Sequence, residues 1–171
     1  MTVDQFKIEV LPHKHKLYRF ACRLLRIPQE AEDIVQEVMI RLWDRRESLA
    51  QYRSIEAFAM TITKNLCLDR LKKAGSRKVE LNESDVRHAE RDPYLQMEAS
   101  DSYRKIKGLI DLLPEQQRMI IHLRDIEGYE YEEIASITGL TENTIRVNLS
   151  RARKKVRETM IKQYRYEFTK N

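Results

Sequence analysis

The 171-residue chain has little of what breaks, staples or anchors a polypeptide: 4 glycines, 4 prolines, 2 cysteines and 1 tryptophan. So few glycines and prolines exclude a collagen-like or low-complexity chain. No apolar run is longer than a few residues, which excludes a membrane-spanning helix. The opening Met1-Thr-Val-Asp-Gln-Phe-Lys-Ile-Glu carries acids and lacks the apolar stretch of a secretory signal, so the expected location is the reducing cytoplasm. Two cysteines, Cys22 and Cys67, make neither a disulfide framework nor a zinc site. Each lies among apolar neighbours at helical spacing and reads as a small buried thiol. Also missing are a phosphate-cradling glycine loop and any metal-ligand spacing, so no metal, no cofactor and no small-molecule substrate are expected. The histidines do not suggest catalysis: His13 and His15 are too close to share a helix face, His88 lies in a polar stretch, and His122, between apolar helix residues, reads as a helix-surface or packed histidine. An enzyme is not expected.

What the chain does contain is charge, unevenly placed. Charged residues make up 35% and hydrophobic residues 42%, with 32 Lys+Arg against 27 Asp+Glu and a net charge of +5. Residues 1–73 carry 14 basic and 10 acidic side chains, residues 74–103 carry 4 and 7, and residues 104–171 carry 14 and 10. Two basic blocks therefore flank an acidic middle without apolar periodicity, which reads as a mobile linker. The expected organisation is a domain over 1–74, a linker over 75–103 and a domain over 104–171.

Period-3.6 patterning predicts an all-α fold of two small helical domains. A first amphipathic stretch spans Val3 to Arg26, interrupted or kinked at Pro12. A second opens at Pro28, a favoured first helical position, and reaches about Glu47 with Ala31, Ile34, Val35, Val38 and Leu42 inward. A third follows the N-cap Ser54, with Ile55, Phe58, Ala59, Ile62 and Leu66 as its inner stripe. In the second block one helix ends near Leu113, and another opens at Pro114 and carries Met119, Ile120, Leu123 and Ile126. Further helices cover Tyr131 to Thr138 and Thr141 to about Tyr166.

The sharpest signal is Glu130-Tyr-Glu-Glu-Ile-Ala-Ser-Ile-Thr-Gly-Leu-Thr-Glu-Asn-Thr-Ile-Arg, which has helix-turn-helix grammar. Ile134 and Ile137 give the first helix an inner face, and Ala135 is small where helices must approach. Gly139 stands where the chain needs positive φ, and Thr141 can cap the next helix. In that next helix Ile145, Leu149, Ala152, Val156 and Met160 form an inward stripe. Asn143, Arg146, Val147, Ser150, Arg151 and Lys154 lie on the opposite face. From Asn143 to Arg157 there are six basic residues and no acid. A solvated face normally mixes signs. An acid-free basic face opening with Asn, Arg and Ser fits the DNA major groove, where Arg forks onto guanine and Asn onto adenine.

The first block offers a second basic surface: Thr61, Lys64, Asn65 and Lys72 on one arc, Arg70 and Lys73 nearby, and Tyr52 and Arg53 in the preceding loop. A basic helix beside a ring-bearing loop can hold unstacked bases, and a charged surface helix explains it equally well. The preceding helix bears acids early, then Arg41 and Trp43. A half-exposed Trp among charges suggests a protein interface, and a core role is an equal alternative.

Five segments carry a family resemblance. Ala31-Glu-Asp-Ile-Val-Gln-Glu-Val-Met-Ile-Arg-Leu-Trp resembles the second-helix motif of bacterial extracytoplasmic-function (ECF) sigma factors of the sigma-70 family. Phe58-Ala-Met-Thr-Ile-Thr-Lys-Asn-Leu-Cys-Leu-Asp-Arg-Leu-Lys-Lys is similar to the helix that follows it there. Leu113-Pro-Glu-Gln-Gln-Arg, Glu127-Gly-Tyr-Glu-Tyr-Glu-Glu-Ile-Ala and Asn143-Thr-Ile-Arg-Val-Asn-Leu-Ser-Arg-Ala-Arg-Lys-Lys-Val-Arg resemble the family's C-terminal domain. The resemblance implies a sigma domain 2 followed by a helix-turn-helix sigma domain 4. It implies that Asp33, Gln36, Glu37, Arg41 and Trp43 dock on the clamp helices of the RNA polymerase β′ subunit. Tyr52, Arg53, Thr61, Lys64, Asn65, Arg70, Lys72 and Lys73 would recognise and melt the minus-ten promoter element. The Thr141–Lys155 helix would read the minus-thirty-five element through Thr141, Asn143, Thr144, Arg146, Val147, Ser150, Arg151 and Lys154. Core polymerase (β′ and β subunits), promoter DNA and an anti-sigma factor are the implied partners. Val147, Asn148 and Ser150 stand where many relatives carry longer side chains, so the resemblance does not carry over the relatives' minus-thirty-five sequence. The alternative is a polymerase-independent helix-turn-helix regulator, which would need an effector pocket or dimer seam in the first block.

Overall fold

The structure is a computed structural model that describes residues 1–76 and 101–169; these are helical with connecting turns, and contain no strand. The expected linker falls largely on 77–100, outside the described residues. The chain divides into two compact units, each with its own core.

The first unit opens with α1 (Val3–Glu9), started by a reciprocal cap: Gln5 N–H donates to Thr2 Oγ1 at 3.2 Å, and Thr2 N–H donates to Gln5 Oε1 at 2.8 Å. The expected first helix is then cut. Pro12 sits in a short 3₁₀ turn, Leu11–His13, and α2 begins at Lys14 and runs to Leu25. Pro12 has no N–H and cannot stand inside a continuous helix, so the chain turns and restarts. Glu56 secures the restart, meeting His13 Nδ1 at 3.0 Å and Lys16 Nζ at 2.6 Å. Next come α3 (Pro28–Asp44) and α4 (Ile55–Ser76), with Ala57 N–H donating to the Ser54 hydroxyl at 3.1 Å as the predicted cap requires.

Helices α2, α3 and α4 pack against one another. Their core joins Leu17, Phe20, Ala21 and Leu24 to Ala31, Ile34, Val35, Val38 and Leu42, as the period predicts for α3. Each fully buried Leu, Ile or Phe contributes about 1.5–3 kcal/mol relative to exposure. For α4 the expected stripe is rotated. Its buried line is Ala59, Met60, Thr63 and Cys67, while Ile55, Phe58, Ile62 and Leu66 are only half-buried. Apolar residues encircle this helix, so periodicity does not select a face. Thr63 can lie inward because its hydroxyl donates to Ala59 O at 2.8 Å. Helix α4 also continues two residues past the expected domain end, through Gly75 and Ser76.

The second unit holds α5 (Asp101–Asp111), α6 (Glu115–Ile121), a π-turn over His122–Ile126, most of α7 (Tyr131–Thr138) and α8 (Glu142–Thr169). Helix α8 packs on α6 and α5. Leu109, Ile110, Met119, Ile120, Ile121 and Leu123 are buried, as are Ile145, Leu149 and Ala152 of α8. The buried Arg118 donates to the carbonyls of Asp111 at 3.3 Å and Leu113 at 3.4 Å, satisfying the exposed end of α5. The helix expected from Pro114 to Ile126 changes pitch at His122. There the buried His122 and Glu127 side chains face each other, Nε2 to Oε1 3.2 Å, so His122 is a packed side chain.

The turn between α7 and α8 has the predicted chemistry. Gly139 has φ +76°, and Thr144 N–H donates to the Thr141 hydroxyl at 3.2 Å. A Cβ at Gly139 would meet nothing within 4 Å. Gly139→Ala should therefore lower stability through backbone strain alone, by about 1–2 kcal/mol, read as an earlier denaturant midpoint with an unchanged slope.

Candidate nucleic-acid interface

Helix α8 carries the clearest surface. Burial of Ile145, Leu149 and Ala152 leaves Thr141, Asn143, Arg146, Val147, Ser150, Arg151 and Lys154 exposed, with Thr144 half-buried. Val147 is 40% exposed, which puts a stiff branched apolar group among the polar ones. Asn148 turns back, its Nδ2 donating to Thr144 O at 2.9 Å. The Thr141 hydroxyl is committed to capping and contacts that of Thr144 at 2.8 Å.

The acid-free stretch is less bare than the sequence suggests. Glu142 and Glu158 flank it and reach in: Arg146 lies 3.6 Å from Glu142, and Lys154 lies 3.9 Å from Glu158. Arg153 serves the fold, its Nε donating to Asp125 at 2.9 Å and its Nη2 to the other carboxylate oxygen. That hydrogen-bonded pair raises the Arg153 pKa above its usual value. Among the described residues no three His, Cys, Asp or Glu side chains converge as a metal site would need.

In the first unit, α4 gathers the second group. Asn65, Lys72 and Lys73 are exposed; Thr61, Lys64 and Arg70 are half-buried. Thr61 donates to Ala57 O at 2.9 Å, and Arg70 points to Glu30 at 3.8 Å. In the loop, Tyr52 is 39% exposed and stacks on Phe58 with centroids 3.9 Å apart and planes 19° apart. Phe58 thus faces a loop ring instead of joining the deep core. Arg53 lies exposed beside it. Lys64 stands out electrostatically: burial lowers its pKa, and it has no acidic partner among the described residues. A cation left partly desolvated and uncompensated suits a surface that meets phosphate.

The third group lies on α3. Asp33 and Gln36 are exposed, and Glu37 forms an ion pair with Arg41 one turn on. Trp43 is half-buried: Phe6 meets it edge-on at 5.1 Å and the Arg46 guanidinium covers it at 4.6 Å. The sequence reading missed Ile40, which is 61% exposed within the Asp33–Gln36–Arg41 stripe. Its position on the α3 wheel, two residues from the inward Val38 and Leu42, is the signal that marks it.

Residues 10–77 match the family model described as Sigma-70 region 2, and residues 103–156 match that described as Sigma-70, region 4. The chain is 33% identical over 158 residues to the ECF RNA polymerase sigma factor SigE of Mycolicibacterium smegmatis, covering 90% of this chain and 60% of that protein. It is 30% identical over 149 residues to the probable RNA polymerase sigma factor RfaY of Xanthomonas campestris, covering 84% of this chain and 37% of that protein. The chain thus spans less than two thirds of the length of either relative. Among solved structures, it is similar to the sigma factor RpoE in complex with the anti-sigma factor NepR from Bartonella quintana. The TM-score is 0.75 and the identity 26%, over 92% of this chain and 98% of that one.

Lys64→Met should stabilise the free protein at neutral pH by less than about 1 kcal/mol, because the half-buried ammonium remains screened. The lowered folded-state pKa means the unfolded chain holds more protons between that value and 10.5, so wild-type stability rises with pH across that window. The advantage of the Met variant should be largest below the window and vanish above it, as read from denaturant unfolding at pH 7 and above pH 10.5.

Proposed function

We propose that this chain, which belongs to the sigma-70 family in its ECF form, binds core RNA polymerase and directs it to a promoter. The α4 surface and its loop engage the minus-ten element, and α8 reads the minus-thirty-five element. The observation that carries this reading is the outward row of Asn143, Arg146, Val147, Ser150 and Arg151, held by the buried back of α8. Arg and Asn supply forked donors for guanine and adenine edges, and Val147 supplies an apolar contact for a thymine methyl. The remaining cations meet phosphate.

On α4, Lys64, Arg70, Lys72 and Lys73 give the positive surface, with Thr61 and Asn65 as polar readers. The Tyr52–Phe58 stack and Arg53 offer a platform for an unstacked base. Asp33, Gln36, Glu37, Arg41 and Trp43, joined by Ile40, form the polymerase-docking stripe on α3. The proposed domains, 1–74 and 104–171, lie on one chain. Once polymerase fixes the spacing of the two DNA sites, the second contact becomes effectively intramolecular. An apolar groove of about 890 Å³ between α5 and α8 is lined by Ile106, Ile110, Ile121, Val156, Met160 and Tyr164. The protein catalyses nothing itself and works in the cytoplasm, and no described helix is long and apolar enough to cross a membrane.

Run-off transcription by reconstituted holoenzyme over a fragmented genome tests the reading. New start sites absent with core enzyme alone are expected; none would reject it in favour of a polymerase-independent regulator. Arg146→Ala should weaken upstream-element recognition by about 1–3 kcal/mol while leaving core binding intact. Glu37→Lys should break the Arg41 pair and weaken core binding about tenfold, leaving the DNA-facing surfaces intact. Pull-down with core polymerase and promoter competition separate the two effects.

A further inference from the structure

Tyr131 opens α7 and lies outside every surface described so far. The Arg146 guanidinium carbon sits 3.8 Å from its ring centroid, and that of Arg124 sits 4.8 Å from the same centroid. Arg124 is itself anchored, donating to Tyr129 O at 2.8 Å and lying 3.1 Å from Glu130. We infer that Tyr131 is a positioning residue for base reading: its ring, which carries both guanidinium groups, pre-orders the Arg146 side chain. The inference rests on the reading of α8 as the upstream-element helix.

The physical case turns on what a stack leaves available. An arginine ordered by a close carboxylate gives up N–H donors to it. One ordered face-on by a ring keeps its in-plane donors for a hydrogen-bonding partner. The acid beside Arg146, Glu142, lies 3.6 Å away, beyond hydrogen-bond distance. An unrestrained exposed arginine would lose its rotamer freedom on contacting a base; a stacked one has lost much of it beforehand. The stack also ties the reading side chain on α8 to the first helix of the motif across the Gly139 corner. Arg146 then reports the register of the whole helix-turn-helix, not the local state of α8 alone.

Two measurements on the full-length chain test this. In the free protein, ¹⁵N relaxation of the Arg146 Nε–H group should show an ordered side chain in wild type and Tyr131→Phe, and a mobile one in Tyr131→Leu. Assembled with core RNA polymerase and offered a duplex library randomised upstream, wild type and Tyr131→Phe should select the same bases. Tyr131→Leu should lose preference only at the positions that Arg146→Ala loses, with affinity down about three- to fivefold. The double variant should bind no more weakly than Arg146→Ala. Tyr131→Gln, of similar size without an aromatic face, replaces the Leu variant if that one fails to fold. An ordered Arg146 without the ring, or a loss of preference spread evenly over all positions, would overturn the inference. If the wild-type assembly selects no sequence, the promoter reading fails by itself, and the relaxation result still decides whether Tyr131 holds Arg146.

Discussion

Everything the second unit presents depends on the burial of one narrow strip of α8. Ile145, Leu149 and Ala152 are shut away against the rest of that unit. Because successive residues turn by about 100°, that strip fixes the direction of every other side chain on the helix. Arg146, Val147 and Ser150 face outward as a consequence, and Arg153 falls at the flank where Asp125 can take it. A helix of the same composition with a one-residue shift of its apolar strip would bury its outward polar side chains and expose its packing residues.

The first unit repeats the logic on two helices at once. The inward Ala31, Ile34, Val35, Val38 and Leu42 of α3 set its acidic and apolar outer stripe, and Ala59, Met60, Thr63 and Cys67 of α4 set the basic one. One small core thus supports two surfaces of opposite chemistry, one suited to a protein partner and the other to a polyanion. The Cys67 thiol belongs to the supporting layer: burial pushes its pKa up to about 12, so it is protonated and unreactive at neutral pH.

Much of this was legible in the residues because local chemistry determined it. Pro28 opening α3, Ser54 and Thr141 as caps and Gly139 at positive φ each have a reason that needs no tertiary context. The α3 and α8 stripes were readable because polar residues interrupt them cleanly. The α4 stripe was not, since apolar residues surround that helix and packing alone chooses the buried line. The π-turn at His122 escaped for a related reason: Leu123 and Ile126 keep helical spacing through it, and only the packed His122–Glu127 pair and the Arg153–Asp125 clamp mark the change in pitch. Arg146 was legible as an exposed cation, but its ring partner was not, because Tyr131 is fifteen positions away and meets it only after the chain turns a corner.

The two glutamates that bracket the basic run of α8 have an effect on the ion atmosphere around it. Glu142 and Glu158 act as counterions that are covalently tethered, already sitting beside Arg146 and Lys154 when no polyanion is near. Any polyanion approaching this helix must displace them, and they remain close by as repelling charges. Fewer mobile ions are then set free than six basic side chains would suggest, and affinity falls less steeply as salt is added. Loose adhesion to a polyanion is penalised most, since it relies on that release alone.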